Sequence, residues 1–340
     1  MTAASPVRLS LKAAEALAAR ALRASGASAA AAASTARALT AAEADGQAGH
    51  GLSRVASYAA QIRAGKIDGA AVPVVTRTRP GTMRIDARAG LAYPALDLAI
   101  KTLPALAAEA GVASAGVFSS HHIGQAGRAV ERLADLGLVA LIVSNTPQAM
   151  AFHGGRRPMM GTNPLAFAAP LPGRAPLVID MALSVVARGR IVAARNAGQS
   201  VPSNWANDAE GRPTTDPAAA LAGALAPAGD AKGAALALMV EILCGALAGG
   251  HYGWEASSFL DDKGEAPSVG QVLLALDPLA FAGPGFLERM GALAATVTAE
   301  DGARLPGDRR LAARARAAAE GLTLAPALHA EILALAGDAP

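Results

Sequence analysis

VASAGVFSSHHIGQAGRAVERLADLGLVALIVS, residues 112–144, decides the fold class. Residues 112–118 and 139–144 are apolar runs of strand length, and residues 124–136 between them read as a helix. Neither run alternates with polar residues as a half-solvated strand would, so each reads as buried on both faces. Buried strands joined by a helix predict an α/β sheet. Working outward, residues 83–87, 165–169 and 177–179 read as further strands, and residues 93–110 as a helix despite Pro104. Ser10 is placed to cap a helix over residues 11–24 with Gly26 as its stop, and Ser28 a second helix over residues 29–44. A third helix follows through Tyr58 and Ile62. Residues 205–217 form a long polar loop, and the last forty residues are mainly helical.

Composition narrows the class. The chain has 340 residues, 52% of them hydrophobic, but much of that content is alanine. The most apolar stretch, residues 233–253, is broken by Glu241 and preceded by Lys232. It reads as a buried helix rather than a membrane span, which needs about 20 apolar residues with few charges. Arg8, Lys12, Glu15 and Arg20 interrupt the N-terminal region, which therefore does not read as a secretory signal. The single cysteine, Cys244, excludes an intrachain disulfide framework and fits a reducing cytoplasm. A net charge of +3 with scattered basic residues and 3% aromatics argues against nucleic acid. The one dense basic cluster, Arg304, Arg309, Arg310, Arg314 and Arg316, reads either as a solvated helix face or as a site for an anion or cofactor phosphate.

Polar chemistry concentrates in three loops: SSHHIGQAG (119–127), SNTPQAM (144–150) and HGGRRPMMGTNP (153–164). His121, His122, Asn145, His153, Thr162 and Asn163 stand there beside glycines and look like parts of one site. His50 and Arg54, in QAGHGLSR, add a group suited to proton transfer and a guanidinium able to grip a carboxylate through two hydrogen bonds. On a helix, that spacing would put both on one side. A metal centre has little support, because none of the six histidines forms a His-x-x-x-His pair and a thiolate cluster is impossible. HHIGQAG is only a partial echo of the G-x-G-x-x-G dinucleotide turn, and neither a Walker A motif nor a G-x-S-x-G elbow is present.

Taken in order, HGLSR (50–54), SHHIG (120–124), GTNP (161–164), IDMALSVVARG (179–189), DAEGRPTTDP (208–217), AKGAALAL (231–238) and RLPGDRR (304–310) resemble the malate/L-lactate dehydrogenase family of NAD(P)-dependent oxidoreductases. VERLADLGLVAL (130–141), KGAALALMVEIL (232–243) and EASSFLDDKG (255–264) resemble most the Δ1-piperideine-2-carboxylate/Δ1-pyrroline-2-carboxylate reductases within it. The resemblance implies an α/β fold with a non-Rossmann NAD(P)H-binding domain built on a mixed sheet, over residues 116–284. It also implies a largely helical substrate and dimerisation region over residues 1–115, to which residues 285–340 return. A homodimer with active sites near the subunit interface is expected.

The same resemblance assigns residues. His50 would be the proton donor, with Arg54 and Thr162 touching substrate. Cofactor contacts would come from His122, Ile123, Gly124, Gln125 and Ala126, from Asp180, Met181 and Ala182, and from Lys232 and Gly233. Arg304, Pro306, Gly307, Arg309 and Arg310 would add the last set, and the paired arginines favour NADPH, with NADH the alternative. Two departures stand out: Gly49 and Arg190 occupy positions where many relatives have serine and lysine in a relay with the histidine. Glycine cannot relay a proton and arginine stays protonated, so Arg190 is retained as a catalytic candidate that orients substrate or stabilises charge. The expected reaction is NADPH-dependent reduction of a cyclic 2-imino acid to L-proline or L-pipecolate. The alternatives are a 2-hydroxy-acid dehydrogenase and a non-catalytic cofactor binder.

Overall fold

The computed structural model describes residues 5–337. Seven strands form one mixed sheet: β1 (Val74–Arg79), β2 (Thr82–Asp86), β3 (Val112–Ser120), β4 (Val139–Ser144), β5 (Leu165–Leu171), β6 (Arg174–Met181) and β7 (Val269–Leu276). Their spatial order is β1-β2-β3-β7-β4-β5-β6. β2 and β3 run parallel, and the other neighbours are antiparallel. β7 therefore arrives late in the chain and wedges between the two strands whose apolar runs announced the sheet. Its own run is interrupted by Gly270 and Gln271, so it carried no clear strand signal.

The helices of nine residues or more are α1 (Leu11–Ala24), α2 (Ala29–Ala44), α3 (Val55–Arg63), α4 (Ala92–Ala110), α5 (Ala126–Ala134), α6 (Arg188–Asn196), α7 (Ala231–Glu241), α8 (Phe286–Ala299), α9 (Asp308–Glu320) and α10 (Pro326–Leu335). The Ser10 and Ser28 hydroxyls accept hydrogen bonds from the amides of Ala13 and Ala31, which fixes the starts of α1 and α2. α4 and α5 bury their alanine and leucine faces against the sheet. α1, α2 and α3 form a second core with Ala317, Leu322, Leu324 and Ile332 from the C-terminal segment. A short antiparallel pairing of Val7–Leu9 with Leu322–Leu324 ties the two ends together. α7 belongs to a third core with Met150, Met160 and Cys244.

The stretch 233–253 differs from the buried helix expected. α7 continues into a π-helical segment, Ile242–Leu247, and only one side of it is covered. Ala234, Ala237, Val240 and Cys244 are buried, while Leu236, Met239, Ile242 and Leu247 are exposed. In one dimension an apolar face turned outward is indistinguishable from one turned inward.

Candidate active site

After α2 the chain folds back over its own last turn. Ala48–His50 and Leu52–Arg54 are two separate 3-10 turns, so His50 and Arg54 are not joined by the helical spacing read from the sequence. Glu43 fixes the reversal, its carboxylate accepting the Leu52 amide at 2.9 Å. A Cβ at Gly51 would lie 2.2 Å from that same oxygen, which is why glycine stands there. Arg54 Nε donates to the Gly49 carbonyl at 2.7 Å. Its terminal nitrogens make no hydrogen bond among the described residues, leaving a fork of donors for a carboxylate.

His50 Nδ1 lies 2.8 Å from the Gly124 carbonyl oxygen. A carbonyl can only accept, so Nδ1 carries a proton and Nε2 is the atom free to take up and release one. Burial, assisted by the nearby Arg54 charge, pulls the His50 pKa below the usual imidazole range, while the Gly124 contact works the other way. The structure thus joins two motifs 74 residues apart, HGLSR and SHHIG, through one hydrogen bond.

Behind His50 lies a cluster of rings. His122 meets it edge-on with centroids 5.3 Å apart. His122 Nδ1 is 2.7 Å from the Tyr58 hydroxyl, which also contacts the Tyr93 hydroxyl at 3.3 Å. His121 Nε2 donates to Gln61 Oε1 at 3.0 Å. Burial, with Lys66 and Arg54 nearby, lowers the His121 pKa to about 3. His122 is held well below its ordinary value by burial and then by Arg54, His50 and His121. Burial raises Tyr58 to about 12. Both histidines are therefore neutral, and Tyr58 keeps its proton.

Thr162 is half-buried on the next loop, its amide donating to Thr146 Oγ1 at 3.0 Å. Beneath it sits Glu241, the lone acid of the apolar α7 run. Its carboxylate accepts from Asn145 and Asn163 side chains at 3.2 and 2.9 Å and from the Gly161 and Gly253 amides at 3.1 and 3.0 Å. Asn145 and Asn163 therefore pin the loops beneath Thr162 and are committed there. His153 departs from expectation: its side chain is 64% exposed and faces Asp230 across 4.0 Å.

The cofactor candidates fall into two groups. The loop His122–Ala126 is buried, and Gln125 donates through Nε2 to Asp45 at 2.9 Å while its buried Oε1 has no hydrogen-bond partner among the described residues. Asp180 accepts the Gly127 amide at 2.8 Å, so the N-terminus of α5 is already capped by a carboxylate, whose pKa burial raises. Met181, Ala182, Lys232, Arg304, Pro306 and Arg309 are exposed. Gly233 serves packing, since a Cβ there would lie 1.9 Å from the Ala228 carbonyl oxygen. Gly307, at φ +98°, leads into α9.

Arg310 does not present itself to solvent as the sequence pattern suggested. It is buried and donates to Glu131 at 3.0 Å. Arg314 completes this network, bonding Asp45 at 2.7 Å and Glu131 at 2.9 Å. A buried carboxylate pair demanded the cations. Arg190 is exposed at the start of α6, its guanidinium 4.8 Å above the Trp205 ring, and among the described residues no hydrogen bond joins it to His50. Tyr58, Gln61, Glu43, Glu241 and Phe259 were not singled out from the sequence as site residues. Of these, only Glu241 left a signal, as a charge interrupting an apolar run.

The malate/L-lactate dehydrogenase family profile matches residues 9–333. A (2R)-3-sulfolactate dehydrogenase (NADP+) from Chromohalobacter salexigens is 51% identical, with 96% of this chain and 98% of that one aligned. A Δ1-pyrroline-2-carboxylate/Δ1-piperideine-2-carboxylate reductase from Pseudomonas aeruginosa is 39% identical over 97% of this chain and 99% of that one. Among solved structures, Δ1-piperideine-2-carboxylate reductase from Pseudomonas syringae superposes with a TM-score of 0.92 at 37% identity, covering 97% and 99% of the two chains. Matched along almost its whole length by both sequence and fold, the chain belongs to the malate/L-lactate dehydrogenase family and is a nicotinamide-dependent oxidoreductase.

Proposed function

We propose that the protein interconverts a small 2-oxo carboxylate and its 2-hydroxy form with NADP(H), on a substrate bearing a second anionic group, as 3-sulfolactate does. The reaction type rests on His50, whose Nδ1 is committed to Gly124 so that Nε2 can exchange a proton beside the free donors of Arg54. Arg54 grips the carboxylate and orients C2. His50 Nε2 gives a proton to the oxygen forming at C2, or takes it back in the reverse direction. When bound, the nicotinamide supplies or accepts a hydride at that carbon. The donor set suits a phosphate-bearing dinucleotide. Lys232, Arg304 and Arg309 are exposed cations, and the unpartnered Gln125 Oε1 is an acceptor for an amide N–H. With α5 capped by Asp180, a phosphate would be met by these side chains rather than by that helix end.

The second anionic group is supported by the 51% identity to the sulfolactate enzyme and by Arg190, a permanent cation seated on Trp205. Reduction of a cyclic 2-imino acid is the second reading, supported by the relatives at 38–41% identity and by EASSFLDDKG (255–264). The homodimer is supported by the exposed aliphatic face of α7.

An NADPH-oxidation assay with 3-sulfopyruvate, pyruvate, Δ1-pyrroline-2-carboxylate and Δ1-piperideine-2-carboxylate separates the readings. The first requires 3-sulfopyruvate to have the highest kcat/KM; a cyclic imine in that place establishes the second. His50→Ala should chiefly lower kcat and Arg54→Ala chiefly raise KM. Near-wild-type kinetics in both variants would remove the site assignment, and cofactor binding without turnover of any substrate would favour a non-catalytic binder.

A further inference from the structure

We propose that Phe259 is a positioning residue for the proton-transfer site: clamped over His121 and His122, it keeps water from that pair so that His50 alone exchanges a proton. The inference rests on the reading of His50 as proton donor. Phe259 is 8% exposed, and its ring lies 5.0 Å from the His121 centroid and 5.1 Å from that of His122. Among the described residues it is the one aromatic hydrocarbon ring touching both, and it comes from a long loop between α7 and β7 that has no regular secondary structure over residues 254–266.

Such a loop needs an external anchor, and Gln61 in the last turn of α3 and Lys66 just beyond the helix provide it. Gln61 Nε2 donates to the Phe259 carbonyl at 2.9 Å. Lys66 Nζ, on a side chain only 1% exposed, donates to the carbonyls of Ser258 and Asp261 at 2.7 and 3.0 Å. The clamp thus grips three backbone carbonyls of the loop, with the Asp261 carboxylate 3.7 Å from Lys66 beside them. The same Gln61 holds His121 through its other amide atom. One short helical segment therefore carries the carboxylate ligand Arg54 at its start, the His122 partner Tyr58 in its middle, and the clamp at its end.

The groups facing the two histidines are His50, Arg54, Tyr58, Tyr93 and Lys66, with Asp261 of the same loop 3.7 Å from Lys66. Most are cationic or neutral, so a second proton on His122 would oppose protonation of His50. Excluding water from the pair prevents this, and Phe259 is the part of the enclosure contributed by the loop.

The test is histidine-ring NMR on the full-length, 15N-histidine-labelled protein from pH 8 to pH 5, without substrate. The His121 and His122 signals should stay constant in the wild type. In Phe259→Ala and Phe259→Leu at least one should titrate with its midpoint raised into that window, which for His121 is a rise of about two pH units or more. Lys66→Met, which keeps the ring but frees the loop, should do the same at His122, where the Lys66 charge is not among the causes of the lowered pKa. Reductive kcat/KM in these variants should acquire an acid-side fall that the wild type lacks. If Phe259→Ala does not fold, Phe259→Leu and Lys66→Met carry the test. Constant His121 and His122 signals in folded variants overturn the proposal. The ring titration needs no substrate, so that outcome is separate from failure of the His50 assignment, which would show in His50→Ala kinetics.

Discussion

Arg309→Ala and Arg310→Met change neighbouring residues and should fail in opposite ways. The Arg310 side chain is 9% exposed, 3.0 Å from Glu131 and 3.9 Å from Asp45, whose side chains are 2% and 0% exposed. Removing one partner of a buried ion pair costs about 3–5 kcal/mol, because the charge left behind has lost its solvation. Here Glu131 keeps Arg314 and Arg128, so the lower end, about 3 kcal/mol, applies. At roughly 2 °C per kcal/mol for a chain of this size, Tm should fall by about 6 °C. Arg309 is exposed, and its loss should leave stability within about 0.5 kcal/mol. Instead, NADPH affinity should drop about tenfold, the equivalent of one charge-assisted hydrogen bond near 1.4 kcal/mol, with NADH affinity unchanged. Thermal unfolding and fluorescence titration with each nucleotide measure both effects. An Arg310→Met protein as stable as the wild type but weakened for NADPH would refute the reasoning and return Arg310 to the cofactor.

Acid should destabilise the fold through the ring cluster. His121 and His122 are held neutral far below their usual range, whereas the unfolded chain binds protons near pH 6.5. Their contribution is complete above that pH and is lost as pH falls. By pH 5 each should have cost about 2 kcal/mol relative to pH 7.5. Urea unfolding of wild type and His121→Gln at both pH values measures it, and an identical pH response of the two proteins would contradict it. Glu241→Gln turns one acceptor into a donor facing other donors. It should cost about 3 kcal/mol and raise KM by loosening the loop under Thr162. Wild-type Tm and KM in that variant would show that the carboxylate is dispensable.

The sequence by itself determined the strands and helices whose signals are local. Ser10 and Ser28 begin α1 and α2 where capping chemistry places them, and residues 139–144 form β4 as read. Ordered motifs across the chain also determined the family, and at Gly51 and Gly233 they record close contacts that only glycine satisfies. Tertiary structure alone decided which charges were available. Arg309 and Arg310 look alike in one dimension, but only burial beside Glu131 and Asp45 withdraws one of them from solvent. It also inserted β7 between β3 and β4, and brought Gln61, Lys66 and Phe259 together across almost two hundred positions. Pairings that long-range depend on how packed layers meet, and spacing along the chain carries no record of that.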